Sequence, residues 1–217
     1  MKILCVSDEV DPLVYSPRAK EHFPDIDFIL SAGDLPMEYL GFIASTFNKP
    51  LFFVFGNHNL KYLSMFTNKI RATPFNTVDI SPHKFGSTYI DGKITRYKDI
   101  IIAGIGGSYK YNNGQNQFTD FQIYVKLIKM IPRLLYNKIR YGRYLDILLT
   151  HSPPYGINDK QDICHRGFKA FLWFIKTFKP SYLLHGHVHL YNSLETRISQ
   201  YYNTKIINVF KHYLLEV

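Results

Sequence analysis

Residues 51–58 have the sequence LFFVFGNH, a run of five apolar residues followed by a glycine, an amide and an imidazole. The run is rich in aromatic residues and therefore predicts a β-strand. Gly56 follows directly after that strand. Asn57 and His58 then supply an amide oxygen and ring nitrogens, which are ligand types that suit transition metals. This stretch predicts a strand that presents chemically active side chains at its carboxyl end.

Four other apolar runs end in the same way, with a carboxylate or an imidazole just after the run. These are 3–6 before Asp8, 28–30 before Asp34, 147–149 before His151, and 182–184 before His187 and His189. In an open α/β sheet, ligands bind at the carboxyl ends of the strands. We therefore expect five strand ends to converge on one crevice. This layout favours chemistry, because seven side chains of the metal-binding type occupy equivalent positions.

The rest of the chain predicts helices and further strands. Helices are expected at 36–47, at 121–130 with Thr119 as the N-cap, from Pro132 to about Tyr141, and at 167–178. A strand is expected at 100–105, short strand-like runs at 68–97, and an antiparallel element within 205–217. Predicted strands and helices alternate in the first part of the chain, and strands dominate its last part. This order predicts an α/β fold, a four-layer sandwich of two mixed β-sheets flanked by helices.

Length and composition favour an ordinary globular protein. The chain has 217 residues, of which 46% are hydrophobic, and no repeat or linker divides it, so we expect one domain over residues 1–217. No apolar run approaches the roughly 20 residues of a membrane span, and residues 1–6 do not resemble a signal peptide. Only Cys5 and Cys164 are present, which argues against a disulfide framework. We therefore expect a cytoplasmic protein without a membrane partner.

The formal net charge is +9, and much of it lies in one segment. Residues 108–144 contain seven basic residues and a single acid, Asp120. Clustered Lys and Arg can neutralise nucleic-acid phosphates, so a backbone-binding track is one interpretation. A solvated helix face is the other, and we favour it because charge runs usually form solvated surface.

In order along the chain, the polar blocks resemble the pattern of the calcineurin-like metallophosphoesterase superfamily. That pattern runs D-x-H, G-D, G-N-H-[D/E], a lone His, and G-H-x-H. The corresponding blocks here are Asp8-Glu9-Val10, Gly33-Asp34, Gly56-Asn57-His58-Asn59, Thr150-His151 and Gly186-His187-Val188-His189. The five blocks span residues 8–189, and an ordered set of this kind is far more specific than any one block.

The resemblance implies a phosphoesterase that hydrolyses a phosphomonoester or phosphodiester by attack of a metal-activated hydroxide. It also implies two divalent ions, for which carboxylate, amide and imidazole donors favour Mn, Fe, Zn or Ni. Asp34 would bridge both ions, Asp8 and His189 would bind the first, and Asn57, His151 and His187 would bind the second. His58 would be the catalytic residue that acts on the leaving group.

Two positions depart from the family pattern. Val10 stands where the family has a histidine ligand of the first ion, and its side chain has no atom that can bind a metal. Asp11, in the following loop, is a candidate substitute ligand, either directly or through water. Asn59 replaces the acid that follows the catalytic histidine. A low-activity metal-binding module without a full first metal site is therefore an alternative to an active enzyme.

The motifs do not identify the substrate. A phosphorylated small molecule, such as a nucleotide, is the favoured partner, because no separate nucleic-acid domain is evident. A nuclease that uses the basic segment is the alternative. Arg18 and Arg166 are candidates for substrate binding, because a guanidinium group can hold a phosphate through two hydrogen bonds.

Overall fold

The computed structural model describes residues 1–67, 83–192 and 195–217. The described residues form six α-helices: α1 Ala19–His22, α2 Met37–Phe47, α3 Leu63–Thr67, α4 Asp120–Ile128, α5 Ile131–Tyr141 and α6 Lys169–Phe178. The first seven strands are β1 Lys2–Ser7, β2 Phe28–Ser31, β3 Leu51–Phe53, β4 His83–Lys84, β5 Ser87–Tyr89, β6 Ile94–Tyr97 and β7 Ile100–Ile105. The others are β8 Ser108–Tyr109, β9 Gln117–Phe118, β10 Ile147–Thr150, β11 Tyr182–His185, β12 Ile198–Tyr201, β13 Thr204–Asn208 and β14 Lys211–Glu216.

Two six-stranded mixed sheets contain most of these strands. The first has the order β14-β1-β2-β3-β5-β4, in which β1, β2, β3 and β5 are parallel and the two edge strands are antiparallel. The second has the order β12-β13-β11-β10-β7-β6, again with a parallel centre and antiparallel edges. Strands β8 and β9 form a separate small pair.

The hydrophobic core has three parts, because successive side chains of a strand point to opposite faces. In β1, Ile3 and Cys5 pack between the two sheets, whereas Leu4 and Val6 pack toward α2. The outer face of the second sheet is covered in the same way by α4, α5 and α6. Burial on both faces explains why the central strands are continuously apolar. The predicted four-layer sandwich is confirmed.

Most predicted elements form, with differences at their ends. Thr119 caps α4 and makes a capping box with Gln122, as expected. The chain breaks between α4 and α5 at Lys129 and Met130, and Pro132 lies in the first turn of α5. The C-terminal region differs from the single antiparallel element predicted. It contributes β13, parallel to β11 in the second sheet, and β14, antiparallel to β1 in the first. The chain crosses between the sheets through buried Val209 and Phe210.

Strand β12 and the stretch 68–97 differ from the sequence-based expectations or extend beyond the described residues. The sequence does not predict strand β12, because an edge strand with one solvated face has a weak apolar signal. Of the stretch 68–97, residues 68–82 lie outside the described residues, and the remainder contains β4, β5 and β6. No helix among the described residues is long and apolar enough to cross a membrane.

The parallel strands bring the polar blocks to one edge of the sandwich. Backbone hydrogen bonds join the turns that follow them: Asp8 N–H donates to Gly33 O at 3.0 Å, and Gly186 N–H donates to His151 O at 3.0 Å. His151 Nδ1 is also 2.8 Å from Ala32 O, so a side chain after β10 contacts the backbone after β2. The carboxyl ends of both sheets therefore meet at one place.

Candidate metal centre

Three buried side chains form the centre of this region. The ligand atoms of Asp34, His151 and His187 all lie within 4.8 Å of one another. They follow β2, β10 and β11, so each comes from a different strand end. Within residues 1–67, 83–192 and 195–217, no other group of three His, Cys, Asp or Glu side chains is arranged to hold a metal ion.

A hydrogen bond to the backbone defines which nitrogen of the His151 ring carries a proton. A carbonyl oxygen only accepts, so the contact with Ala32 O means that Nδ1 carries a proton. The other nitrogen, Nε2, lies 3.1 Å from Asn57 Oδ1 and 3.3 Å from Asp34 Oδ2. A lone pair facing two oxygen acceptors is repulsive unless a positive charge lies between them. Either a proton or a metal ion fits this position.

The pKa values of Asp34 and His151 also indicate that a positive charge is favoured beside the Asp34 carboxylate. Burial alone would raise the pKa of Asp34, but attraction to His151 and hydrogen bonds from His151 and the His58 N–H lower it to about 2. Burial likewise disfavours charge on His151, but attraction to Asp34 outweighs it and raises the pKa of His151 to about 9. The centre therefore holds a negative carboxylate and strongly favours a cation beside it.

His187 is held as a neutral imidazole, the form that can bind a metal ion. Its Nε2–H donates to Cys164 O at 2.7 Å, which leaves Nδ1 without a proton. Burial, followed by the charge of His151, lowers the pKa of His187 to about 3. A hydrogen bond of this kind fixes the tautomer and the orientation of a ligating imidazole.

Asp8 supplies a second carboxylate. Its Oδ1 accepts the N–H of His187 at 2.9 Å, which ties the end of β1 to the turn after β11. Its Oδ2 is buried and has no hydrogen-bond partner among the described residues, and the same is true of Ser7 Oγ. Burial raises the pKa of Asp8 above its usual range. An unsatisfied buried carboxylate oxygen is costly, so this atom also fits a cation.

Two glycines allow these groups to approach. A Cβ on Gly56 would lie 2.1 Å from Asp34 Oδ1 and 2.4 Å from His151 Cε1. A Cβ on Gly33 would lie 2.5 Å from the Gly56 nitrogen, and the φ of Gly33 is +103°. The turns after β2 and β3 can therefore pack around the His151 ring only because both residues lack a side chain.

The loop between β8 and β9 positions the turn after β3, a role that the sequence did not reveal. Asn116 Nδ2 donates to Gly56 O at 2.6 Å and to Phe55 O at 3.2 Å. Asn57 Nδ2 donates to the Tyr111 hydroxyl at 3.3 Å, which fixes the amide so that Oδ1 faces His151. Loop contacts of this kind follow no sequence spacing, which is why the sequence does not predict them.

His58 and Asn59 lie at the exposed rim of the centre. The backbone N–H of His58 donates to Asp34 Oδ1 at 2.7 Å, whereas its ring is exposed. Asn59 adopts a positive φ and its Nδ2 donates to Asp34 O at 2.8 Å. Asn59 therefore stabilises the turn after β2 and does not take the place of an acid that orients the His58 ring.

The residues expected to surround the first metal ion, and the candidate substitute Asp11, contact other protein groups. His189 Nδ1 is 2.5 Å from the Tyr191 hydroxyl, and its ring stacks on Phe210 at 4.9 Å. Val10 packs against the apolar core on the α2 side of the first sheet. Asp11 does not turn toward the centre, because its Oδ1 accepts the Leu13 N–H at 2.8 Å and its Oδ2 pairs with His212 at 2.5 Å.

The two arginines differ in their surroundings. Arg18 precedes α1 and is exposed, and its guanidinium makes no ion pair or hydrogen bond among the described residues. Arg166 is half-buried, 5.6 Å from the Tyr109 ring, and lines a cavity of about 540 Å³. The neighbouring His165 ring lies 5.4 Å from the His187 ring. The loop after β10 therefore borders the centre on the side of Arg166.

Comparisons with known proteins identify the family and the fold. A family model described as calcineurin-like phosphoesterase matches residues 1–191. The crystal structure of TT1561 of Thermus thermophilus is similar, with a TM-score of 0.62 and 15% identity, covering 97% of this chain and 89% of that one. A second solved structure has a TM-score of 0.60 and 12% identity, with coverages of 97% and 90%. At such identities the two structures support the fold alone.

No curated protein matches the chain. The family model nevertheless covers most of its length, including every block that forms the centre. Members of this family are in general metal-dependent hydrolases of phosphoric esters. The chain belongs to the calcineurin-like phosphoesterase family.

Proposed function

We propose that this protein hydrolyses a small phosphomonoester or phosphodiester, with nucleotides as the first class to test. One observation carries the proposal: His151 Nε2, Asn57 Oδ1 and Asp34 Oδ2 converge within hydrogen-bonding distance around a position that requires a cation. The buried, unsatisfied Oδ2 of Asp8 supports a second cation nearby.

Asn57, His151 and His187 are the proposed ligands of one ion, Asp8 and His189 of the other, and Asp34 of both. Their nitrogen and oxygen donors suit Mn, Fe, Zn or Ni. When bound, two such ions neutralise phosphate charge and lower the pKa of water toward about 7, which provides the nucleophile. Asp34 is suited to sharing, because its two oxygens face different partners, the His58 N–H and His151 Nε2.

His58 is the proposed group that acts on the leaving oxygen. Its backbone is tied to Asp34, so its ring is held at the rim of the centre and remains open to a substrate. An imidazole in this position can donate a hydrogen bond or a proton to an alkoxide as it departs. Arg166, at the wall of the cavity in the loop after β10, is the proposed contact for a further phosphate or polar group of the substrate.

Replacing His58 with alanine is expected to lower the turnover rate by about 10²- to 10⁴-fold, the usual range for general acid catalysis, without loss of bound metal. Substrates with poor leaving groups are expected to be affected most. The measurement is turnover of a series of aryl phosphates together with metal content per chain. His22→Ala, at an exposed histidine of α1, is the matched control. Loss of metal from the His58 variant would contradict the assigned role.

The proposed activity is tested directly with generic substrates. Purified protein is depleted of metal, reloaded with Mn, Fe, Zn or Ni in turn, and assayed with a phosphomonoester and a phosphodiester. We expect turnover that depends on the added ion and a clear preference between the two ester classes. Tight metal binding without turnover of either class would instead favour the low-activity metal-binding module, for which Val10 and Asn59 are the motivating residues.

The position of Val10 gives a second prediction about metal binding. With Asp11 engaged by Leu13 and His212, the proposed first ion lacks a donor that the second ion has. Titration of metal into stripped protein is therefore expected to show two unequal steps. Val10→His is expected to tighten the weaker step by at least about 10- to 100-fold, because even outer-shell changes have effects of that size.

Val10→Ala is the control for this titration, because it removes the apolar packing of Val10 without adding a donor. It is expected to leave the weaker step unchanged. Two equally tight steps in the native protein, unaffected by Val10→His, would mean that another residue already completes the first metal site.

A nuclease is the alternative, and the structure gives it less support than the sequence did. Within the basic segment, Lys126 pairs with Asp91 at 2.9 Å and Arg143 pairs with Asp146 at 2.6 Å. Lys138 donates to Gly142 O at 2.8 Å. Several cations are thus already engaged within the fold. A salt titration separates the alternatives, because several phosphate contacts would make affinity fall steeply with salt.

A further inference from the structure

Helices α4 and α5 carry two apolar seams on opposite sides. The buried seam consists of Ile123, Leu127, Met130 and Leu134, which pack in the core below the second sheet. The second, which we call the outward seam, consists of Phe121, Val125, Ile128, Pro132, Leu135 and Ile139. Both seams repeat at intervals of three and four residues, and the two-residue offset between them corresponds to about 200° around a helix.

The outward seam is exposed to solvent over most of its length. The exposed fractions are 75% for Phe121, 51% for Ile128, 49% for Leu135 and 88% for Ile139. Single exposed apolar residues are normal, whereas a contiguous row of large ones marks an interaction site. Helical spacing places these residues on one face of each helix: Phe121, Val125 and Ile128 on α4, and Pro132, Leu135 and Ile139 on α5.

Cations line one side of this row. By the helical period, Arg133 and Arg140 of α5 lie on the same flank of the outward seam, and Lys129, also exposed, lies at the end of α4. None of the ion pairs found in the described part of the chain includes these three residues. Tyr136 lies on the same flank, with the Arg133 guanidinium 4.8 Å from its ring centroid. Residues 121–145 contain no Asp or Glu.

The sequence alone led to the expectation of no membrane partner. From the exposure and charge of this face we propose instead that the outward seam and its cationic flank dock on an anionic lipid surface. Leu and Ile side chains on such a face enter the boundary between headgroups and acyl chains, while Arg and Lys remain at the headgroups. Tyr is common at that depth. The face has an apolar row and a basic row and contains no acidic residue. It therefore complements both the acyl chains and the anionic headgroups of a lipid surface.

Two other partners fit the face less well. In a symmetric dimer through the outward seam, the basic flanks of both copies would lie at one interface, where like charges repel. A nucleic acid would neutralise the cations, but its phosphates give no favourable contact to Ile128, Leu135 or Ile139. Of the three partners, only lipid makes favourable contacts with both the apolar outward seam and its cationic flank. This docking is separate from the proposed catalysis, because none of these residues belongs to the metal centre.

The test is co-sedimentation of the whole chain with vesicles of phosphatidylcholine alone and with vesicles that also contain phosphatidylserine. We expect binding to the anionic vesicles. The double variant Arg133→Gln, Arg140→Gln is expected to bind them about 25-fold more weakly, since each basic residue near an anionic surface contributes about fivefold. The double variant Leu135→Glu, Ile139→Glu is expected to lose binding completely.

Ile198→Glu is the matched control, because it makes the same change at an apolar residue that is 46% exposed on an edge strand. It is expected to bind vesicles like the native chain. Turnover of a soluble ester and circular dichroism verify that each variant is folded. Absence of native binding to anionic vesicles overturns the proposal.

Two further results identify a different partner and also overturn the proposal. One is a concentration-dependent dimer that Leu135→Glu, Ile139→Glu makes monomeric, without vesicle binding by the native chain. The other is oligonucleotide binding that only the arginine variant weakens, again without vesicle binding. Equal vesicle binding by the native chain and both double variants would show that lipid contacts another surface.

Discussion

Replacing Asp34 with asparagine is expected to remove most of the bound metal and to lower turnover by more than about 100-fold, since even outer-shell changes have effects up to that size. Asparagine has nearly the same shape and tolerates the observed φ of 59°, so the turn after β2 can still form. What changes is the charge. The amide cannot balance a cation beside His151, and one of its two positions becomes a donor.

Metal content per chain and turnover with saturating metal are the two measurements. Asp25→Asn is a matched control, because Asp25 is also an aspartate at a positive φ of 59° but is exposed and outside the centre. It is expected to keep both metal and activity. Unchanged stoichiometry and rate in the Asp34 variant would rule out Asp34 as the shared ligand.

Gly56→Ala is expected to abolish activity and to destabilise the fold. The added Cβ would overlap Asp34 Oδ1 at 2.1 Å and the His151 ring at 2.4 Å, and neither group is the end of a long flexible chain. Overpacking of this kind costs about 1–3 kcal/mol or more. For a chain of this size, each kcal/mol lowers the melting temperature by about 2–4 °C.

Thermal unfolding of the metal-free protein measures the stability change, and metal titration measures the damage to the centre. Gly41→Ala, within α2, is the control, because a Cβ there would lie 3.6 Å from its nearest neighbour, the carbonyl oxygen of Phe85. Alanine is favoured over glycine in a helix interior by about 1 kcal/mol, so this variant is expected to be at least as stable as the native chain. A fully active Gly56→Ala protein would contradict the tight packing described for the centre.

The parts of this protein that the sequence predicted are those with a local signal. Apolar runs ending at Asp8, Asp34, Asn57, His151 and His187 predicted strands with functional carboxyl ends. The structure brings Asp34, His151 and His187 within 4.8 Å of one another and ties Asp8 to His187. Parallel pairing explains why this was predictable, because it fixes which end of every strand faces the same edge. The ligand roles themselves remain proposals.

Other features arose only from the tertiary structure. The departure at Val10 was visible in the sequence, but the pairing of Asp11 with His212 joins residues 201 positions apart and followed no pattern. The contacts of Asn116 and Tyr111 with the turn after β3 are likewise long-range. The sequence also could not show which apolar seam of α4 and α5 is exposed, because both seams have the same spacing.

The sequence by itself determined the central strands, the longer helices, the motif glycines and the donor types at each strand end. These depend on backbone preferences and on periodicities of two or about 3.6 residues, which are local. Only the tertiary structure decided which nitrogen of His151 and His187 is free, that Asp8 Oδ2 is buried without a partner among the described residues, and which apolar seam remains outside. The physical reason is that burial, charge and hydrogen bonding at one atom depend on groups that the fold brings together from distant parts of the chain.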